Sequence, residues 1–235
     1  MKAVLLAAGL GTRLQPITNK IPKCLVNIQG KPLLQYWLEL LFSGGIDEVL
    51  INTYYLPDAV NEFVNRCQWR DKIHLVHEDE LLGTGGTLLN NREWLSTGSF
   101  LVAHSDNLTI FNLAQFEERH KNRPVDVDIT MMTFITDSPE SCGIIKEDGD
   151  GVVRNFYEKL PDPLGNCANA AVYIFEPVIF DFLAGLGKKE IDLSTEVIPH
   201  YLGRIVTFHN PHYHRDIGTP ESLVMAEAEF RADTK

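Results

Sequence analysis

A glycine-rich loop near the amino terminus contains the first residues whose types and spacing suggest chemistry. Gly9 and Gly11 follow a short apolar run, and Arg13 and Lys23 come soon after. Glycines let the backbone approach a ligand and turn N–H groups toward phosphate oxygens, and two cations beside such a loop suit a polyphosphate. A strand-to-helix turn with two solvated cations would look the same, because short glycine motifs are weak signals. The loop therefore predicts phosphate binding without identifying the phosphate compound.

Two common phosphate-binding motifs do not fit this loop. Gly9-x-Gly11 after an apolar run begins like a dinucleotide fingerprint, but Leu14 stands where the third glycine belongs. No Gly-Lys-Ser or Gly-Lys-Thr ends the loop, so the Walker pattern fails as well. If the loop binds phosphate, it does so through neither of these two motifs.

Around the loop, the sequence resembles the sugar-1-phosphate nucleotidyltransferase family, also called nucleoside diphosphate sugar pyrophosphorylases, in its short single-domain form. The family signature, Gly-x-Gly-Thr-Arg-Leu-x-Pro-x-Thr followed by Pro-Lys, matches residues 9–18 and 22–23. Further matches follow in family order along nearly the whole chain, at residues 82–86, Asp106, Gly143, 158–159, 169–175 and 216–220. The resemblance is therefore not confined to one short motif.

The resemblance implies a Mg²⁺-dependent transfer of a nucleotidyl group from a nucleoside triphosphate to a sugar 1-phosphate, with release of pyrophosphate. Arg13 and Lys23 would be catalytic, holding the triphosphate and neutralising the departing pyrophosphate. Asp106 and Asp216 would hold Mg²⁺, which is commonly bound by two carboxylates and phosphate oxygens. Such transfers depend on positioning and charge stabilisation and need no protein nucleophile. Each aspartate also has a structural interpretation, as a helix cap or turn residue.

The resemblance also implies which residues bind the two substrates. The implied nucleotide-binding residues are Leu6, Ala8, Gly9, Gly11, Thr12, Arg13, Glu78, Gly83 and Thr84. The implied sugar-phosphate-binding residues are Asn107, Gly143, Glu158, Lys159 and Asn169. Glu158 and Lys159 could instead form an exposed, ion-rich strand end, and the leucine after Lys159 departs from the more usual Glu-Lys-Pro order.

Glu78 bears on the choice of base, because similar enzymes often place a base-reading side chain about five residues before the position of Gly83. A carboxylate only accepts hydrogen bonds, so it suits the paired N–H donors of guanine better than the single imide N–H of uracil or thymine. We therefore favour GTP with a mannose- or heptose-type 1-phosphate. Uridylyl transfer to another sugar 1-phosphate, such as N-acetylmuramic acid 1-phosphate, stays open, as does a non-catalytic nucleotide-sugar sensor.

Several polar residues keep other interpretations open. His104 could touch substrate or be satisfied inside the fold. His212 and His214 could bind a transition metal, or their alternate spacing could place both on one solvated strand face. Asp126-x-Asp128 has the spacing of a glycosyltransferase metal motif, but it also suits the solvated entrance of a strand.

The elements that must position these residues alternate between strands and helices as far as about residue 135. Apolar runs predict strands at Lys2–Leu6 and at 49–52, 73–76, 100–103 and 129–134, with helical patterns at 33–42, 58–67, 87–95 and 113–121. Such alternation predicts an α/β fold in which helices flank a Rossmann-like, mixed and mainly parallel sheet. The resemblance implies the same class, the nucleotide-diphospho-sugar transferase fold.

The pattern changes after residue 135. Alternating runs around an acidic, glycine-rich turn predict a β-hairpin over 143–158, followed by a strand at 170–175 and helices at 194–202 and 221–230. We expect one domain over residues 1–235, with a nucleotide-binding half to about 135 and a small sugar-binding β lobe in the remainder.

Composition limits the other partners. A formal net charge of −11 over 235 residues disfavours nonspecific binding to nucleic acid or anionic membranes, which requires a basic surface. The amino-terminal apolar run is too short to span a membrane, and the four scattered cysteines indicate reduced thiols in a cytoplasmic protein. Because homo-oligomers are common in the family, we expect one here.

Overall fold

Strands and helices alternate through the first part of the chain, and the later part is rich in strands. The computed structural model describes residues 1–162 and 164–230. The strands are β1 (Lys2–Leu6), β2 (Asn27–Ile28), β3 (Lys31–Pro32), β4 (Val49–Thr53), β5 (Ile73–His77), β6 (Phe100–His104), β7 (Asn107–Thr109), β8 (Ile129–Ile135), β9 (Gly143–Glu147), β10 (Val153–Glu158), β11 (Cys167–Phe175), β12 (Ile205–His209) and β13 (His214–Asp216). The helices are α1 (Leu33–Ser43), α2 (Pro57–Asn65), α3 (Gly83–Asn90), α4 (Arg92–Leu95), α5 (Leu113–Lys121), α6 (Ile179–Gly185) and α7 (Pro220–Glu229).

The described chain divides into two compact units that do not follow chain order. Unit 1 comprises Met1–Lys2, Leu81–Ala103 and Asn112–Pro211, and unit 2 comprises Ala3–Glu80, His104–Phe111 and the chain from His212 onward. The predicted functional division near residue 135 stays a prediction, and residues 231–235 of the predicted domain lie outside the described residues.

Unit 2 contains the parallel βα arrangement predicted for the first part of the chain. β4 pairs in parallel with β1 (Leu5↔Ile51) and with β5 (Ile51↔Leu75). α1 buries an apolar stripe at helical spacing that includes Leu34, Leu38 and Leu41, and α2 begins at a proline, whose missing N–H costs nothing in the first turn. The short strands β7 and β13 pair antiparallel, although the sequence patterns did not predict them.

Unit 1 is organised around the long strand β11. This strand pairs antiparallel with β6, β8 and β9, while β12 runs parallel to β8. β9 and β10 form the predicted hairpin, with Gly143 opposite Glu158. The hydrophobic core of the unit includes the fully buried side chains of Phe100, Tyr173 and Phe175.

The structure corrects two predicted helices, both in unit 1. The expected helix at 87–95 begins earlier, at Gly83, and is divided at Asn91 into α3 and α4. The expected helix at 194–202 is a π-helical turn, Leu193–Val197, followed by a 3₁₀ turn, Ile198–Tyr201. Pro199 lies in that second turn and supplies no N–H, so a regular α-helix cannot continue through it.

A buried polar cluster in unit 1 predicts a pH-dependent stability. His120 is 3% exposed, and its ring nitrogens lie 2.8 Å from Thr130 Oγ1 and 3.0 Å from Glu176 Oε1. Burial, reinforced by nearby Arg123, lowers the pKa of His120 from 6.5 to about 4. Between these values the unfolded chain binds a proton that the folded protein does not. We therefore expect stability to fall with decreasing pH across this window, by about 1.4 kcal/mol per pH unit from this group.

Urea unfolding between pH 7 and pH 4 measures this effect. His120→Gln should reduce the slope of unfolding free energy against pH by about 1.4 kcal/mol per pH unit in this window. Equal slopes for wild type and His120→Gln would contradict the assignment.

Among the described residues, no helix has the length and apolar character needed to cross a bilayer.

Candidate functional site

The phosphate loop follows β1 in unit 2 and is held in a defined shape. Gly11 has a φ of 64°, and a Cβ there would lie 2.9 Å from Thr18 Cγ2. Thr18 Oγ1 in turn donates a hydrogen bond of 2.7 Å to the Gly11 carbonyl. The 3₁₀ turns Thr12–Leu14 and Lys23–Leu25 then carry the two predicted cations. Position 11 therefore needs glycine for both its backbone conformation and its lack of a side chain.

The predicted nucleotide residues of this loop differ in exposure. Gly9 and Thr12 are exposed, Leu6 is half-buried, and Ala8 is 8% exposed. The exposed residues are accessible to a ligand, whereas the role of Leu6 and Ala8 in nucleotide binding stays a prediction.

The two predicted metal ligands are brought together in unit 2 by the β7–β13 pair. Asp216 lies opposite Asn107 in the register, and the N–H of Ile217 donates a 3.1 Å hydrogen bond to the Asp106 carbonyl. Lys23 Nζ forms a short hydrogen bond to Asp106 Oδ2 and one of 3.2 Å to Asp216 Oδ1. Two carboxylates on one ammonium lie within roughly 6 Å of each other, the span of two hydrogen bonds.

The charges of this cluster reinforce one another. Arg13 Nη2 lies 3.6 Å from Asp216 Oδ2, with both side chains more than half exposed. Burial alone would lower the pKa of Lys23, but the carboxylates of Asp106 and Asp216 outweigh it and raise the pKa. Burial alone would raise the pKa of Asp106, and Lys23, with a smaller effect from His104, lowers it instead. Both members of the pair are therefore ionised near neutral pH.

The donor set fits a divalent cation shared with a substrate. Lys23 shows that the oxygens of Asp106 and Asp216 can converge on one positive centre. Within residues 1–162 and 164–230, no group of three or more His, Cys, Asp or Glu side chains could hold a metal ion by itself. Mg²⁺ is commonly bound by one or two carboxylates and completed by water and phosphate oxygens. Asp106 and Asp216 thus supply what such a site takes from the protein.

Asn107 and Glu78, two further predicted site residues of unit 2, are buried. The Asn107 carbonyl accepts a hydrogen bond of 2.8 Å from Trp37 Nε1. Glu78 is 4% exposed, and its Oε1 accepts a 2.9 Å bond from Asn52 Nδ2. Asn52 Oδ1 accepts a 2.7 Å bond from the N–H of Ala7 at the start of the phosphate loop. Sequence reasoning missed Asn52, although a polar residue inside the apolar run of β4 was the available signal.

Gly83 and Thr84 begin α3 in unit 1, where both are structurally engaged. Gly83 has a φ of 70°, and a Cβ there would lie 2.5 Å from the Ile191 carbonyl oxygen. Thr84 Oγ1 accepts a 2.7 Å bond from the N–H of Leu193 and lies 3.4 Å from Asp192 Oδ2. The start of α3 is therefore held in place by residues 191–193, which lead into the π-helical turn.

Three predicted sugar-side residues lie together on the β9–β10 hairpin of unit 1. A Cβ at Gly143 would lie 2.5 Å from the Phe156 ring and 2.8 Å from Glu158 Oε2, so any side chain at this position would displace one or both of these groups. Lys159 Nζ is 3.3 Å from Glu158 Oε1, with the lysine side chain 64% exposed. The hairpin thus presents one carboxylate and one ammonium side by side.

Asn169, the remaining sugar-side residue, is oriented within β11 of unit 1. Its Nδ2 donates a 2.6 Å hydrogen bond to the Tyr173 hydroxyl, and its Oδ1 accepts a 3.0 Å bond from the N–H of Ala171. Ala171 has a φ of 52°, and the register with β8 shifts between Asn169 and Tyr173. Sequence reasoning did not single out Tyr173, which is fully buried.

The alternative metal motifs are not supported in the described part of the chain. Asp128 forms an ion pair of 2.5 Å with Arg204, while Asp126 is exposed. His212 is exposed and precedes β13, whereas burial lowers the pKa of His214 to about 3. The two histidines therefore do not share one solvated face.

Comparisons with known proteins agree with the fold and the motifs. The family model for nucleotidyl transferase matches residues 2–233. A mannose-1-phosphate guanylyltransferase of Mycobacterium tuberculosis is 32% identical over 97% of this chain, and a probable mannose-1-phosphate guanylyltransferase of Oryza sativa is 31% identical over 95%. The chain spans 64% and 63% of the lengths of these two relatives.

Solved structures give the same result. HddC from Yersinia pseudotuberculosis, also solved in complex with GMP-PN, has a TM-score of 0.80 and 26% identity, covering 98% of this chain and 99% of its own. A putative glucose-1-phosphate thymidylyltransferase from Bacillus anthracis has a TM-score of 0.87 at 22% identity, covering 97% of this chain and 94% of its own, and bears on the fold alone. These likenesses confirm the predicted α/β fold class.

Proposed function

This chain belongs to the nucleotidyl transferase family, and on that premise we propose that it transfers a guanylyl group from GTP to a mannose- or heptose-type sugar 1-phosphate. The observation that carries the proposal is the convergence of Asp106 and Asp216 on Lys23 beside a glycine loop. The guanine nucleotide is supported by relatives named mannose-1-phosphate guanylyltransferase and by the GMP-PN complex of a structural neighbour.

In the proposed reaction, an oxygen of the sugar phosphate attacks the α-phosphorus of GTP in line. A new P–O bond forms, the bond from the α-phosphorus to the leaving oxygen breaks, and pyrophosphate departs. When bound by Asp106 and Asp216, Mg²⁺ would supply Lewis-acid stabilisation of the phosphate charge. Lys23 holds both carboxylates and, with three N–H donors, can also bond a phosphate oxygen. Arg13 adds a second positive charge for the departing pyrophosphate.

The sugar-side assignments belong to the same proposal. The Glu158 carboxylate would accept hydrogen bonds from sugar hydroxyls, and the exposed Lys159 ammonium would pair with the sugar phosphate. Asn169 and the Gly143 backbone would complete the sugar contacts. Their support is the arrangement of the hairpin and β11 inside unit 1. A homo-oligomer and a cytoplasmic location also stay predictions.

Pyrophosphate release tests the activity. The protein, with Mg²⁺, is combined with each of GTP, ATP, UTP, CTP and dTTP and with a panel of sugar 1-phosphates that includes N-acetylmuramic acid 1-phosphate. We expect release above background with GTP and a mannose- or heptose-type 1-phosphate, abolished by a chelator. Release with UTP and another sugar would establish the uridylyltransferase alternative. Tight calorimetric binding of a nucleotide sugar without product from any pair would establish the sensor.

Gly218→Ala is expected to impair turnover more than stability. A Cβ at Gly218 would lie 2.7 Å from Asp216 Oδ2 and 2.9 Å from Arg13 Nη2. Both atoms end flexible side chains and can shift, so the fold is disturbed little while the ion pair moves. We expect kcat/KM to fall roughly tenfold, about 1.4 kcal/mol. Steady-state kinetics and urea unfolding measure the two effects.

Gly149→Ala provides the matched control, because a Cβ at that turn position meets nothing within 4 Å. It should leave kcat/KM unchanged. Wild-type kinetics in Gly218→Ala would show that the arrangement of Asp216 and Arg13 does not matter to turnover.

A further inference from the structure

Asn52, at the end of β4, connects the phosphate loop to the predicted base-reading carboxylate through one buried amide. Its Oδ1 accepts a hydrogen bond of 2.7 Å from the Ala7 N–H, and its Nδ2 donates one of 2.9 Å to Glu78 Oε1. Asn52 is 3% exposed and Glu78 is 4% exposed. A second link fixes Glu78 from its own backbone, because its N–H donates a 2.9 Å bond to the Thr53 carbonyl.

The orientation of this amide follows from its partners. The Ala7 N–H can only donate a hydrogen bond, so the Asn52 oxygen must face it and the NH₂ group must face Glu78. Position 78 must therefore present an acceptor toward β4. One oxygen of a carboxylate can accept the hydrogen bond from Asn52, and its second oxygen is also an acceptor.

We infer that Asn52 is a positioning residue that determines which hydrogen-bonding group Glu78 presents to the nucleotide base. This inference rests on the proposed function and goes beyond it. By binding Oε1, Asn52 fixes the rotation of the Glu78 carboxylate and sets its position relative to the phosphate loop. The acceptor pattern that suits the N–H donors of guanine thus depends on a residue that need not touch the base.

The isosteric variant Glu78→Gln tests this dependence, because a glutamine amide can turn over. The NH₂ group of Asn52 still needs an acceptor, so it binds the oxygen of the introduced glutamine amide. The NH₂ group of that glutamine then takes the place of the second carboxylate oxygen of Glu78. We expect the ratio of kcat/KM for GTP to that for UTP to fall at least tenfold. Without control by Asn52, the introduced amide would rotate to keep its oxygen toward guanine, and an unchanged ratio would overturn the inference.

The reversed pair provides a rescue that a merely structural role would not produce. In Asn52→Asp alone, two carboxylates face each other, and we expect at least a tenfold loss in kcat/KM for GTP, mainly through KM. In the double variant Asn52→Asp/Glu78→Gln, the new carboxylate can accept from both the Ala7 N–H and the glutamine NH₂ group. The glutamine oxygen then stands as the acceptor for the base.

Steady-state kinetics of the wild type, both single variants and the double variant complete the test, with Asn61→Asp on the exposed surface of α2 as a control for the added charge. We expect the double variant to regain at least threefold in kcat/KM for GTP over Asn52→Asp. A folded double variant with kcat/KM for GTP no better than that of Asn52→Asp would overturn the inference. If the double variant does not fold, the GTP-to-UTP ratio of Glu78→Gln decides alone. An inactive wild type would instead contradict the proposed function.

Discussion

Asp106→Asn is expected to lower kcat/KM for pyrophosphate release by roughly 10³-fold, about 4 kcal/mol of transition-state stabilisation. The substitution keeps the size of the side chain and removes one negative charge from the pair of carboxylates that converges on Lys23. A divalent cation would then have one charged ligand from the protein in place of two, and a neutral amide is a weaker ligand for Mg²⁺. The expected loss is largest at low Mg²⁺ concentration, so kinetics over a Mg²⁺ series measure it.

Asp126→Asn is the matched control for this change, since Asp126 is an exposed carboxylate belonging to the competing glycosyltransferase-like motif. We expect wild-type rates in that variant. The reverse outcome, with Asp126→Asn inactive and Asp106→Asn active, would contradict the assignment of the metal ligands and favour sugar transfer from a nucleotide sugar.

Lys23→Ala is expected to reduce kcat by roughly 10²-fold or more while strengthening the binding of a divalent cation in the absence of nucleotide. The lysine neutralises Asp106 and Asp216 and is proposed to stabilise the phosphate charge in the transition state. Its removal eliminates that stabilisation, but it also leaves two uncompensated carboxylates that attract a cation. A general loss of folding would weaken both properties, so the opposite signs are diagnostic.

Steady-state kinetics and Mn²⁺ calorimetry measure the two effects, and Lys20→Ala, at an exposed lysine on the same segment, is the control. Turnover near the wild-type rate in Lys23→Ala would show that the ammonium is not part of the catalytic machinery.

The regular elements were predictable where one local pattern dominated. β1 is a continuous apolar run and α5 an amphipathic helix, and both have the predicted bounds. The hairpin of β9 and β10 was equally accessible, because a glycine-rich turn joins its two strands. In contrast, α3 begins in a run of glycines that disfavours helix, and its start depends on hydrogen bonds from Gly85 and Gly86 to the Ile191 carbonyl.

The residues of the candidate site could be predicted from the sequence, but their spatial arrangement could not. The motif around the loop indicated Arg13 and Lys23, and later matches to the family indicated Asp106 and Asp216. The two aspartates meet only because β7 and β13 pair, and these strands have three residues each. Strands this short have no detectable period, and their pairing links positions more than a hundred residues apart.

The connection through Asn52 could not be predicted for a related reason. A single polar residue in an apolar strand indicates only that its side chain needs partners. Which partners it finds, here the Ala7 N–H and the Glu78 carboxylate, is determined by the parallel neighbours of β4. The need for a hydrogen-bond acceptor at position 78 can therefore be recognised only in the folded structure.

Anomalous scattering from Mn²⁺ can show whether Asp106 and Asp216 hold one divalent cation together with the triphosphate. Crystals grown with Mn²⁺ and a non-hydrolysable GTP analogue should show a manganese peak at about 2.1–2.3 Å from an oxygen of each carboxylate, with phosphate oxygens completing the coordination. Manganese bound to the triphosphate but to neither Asp106 nor Asp216 would contradict the assignment of these two residues as metal ligands.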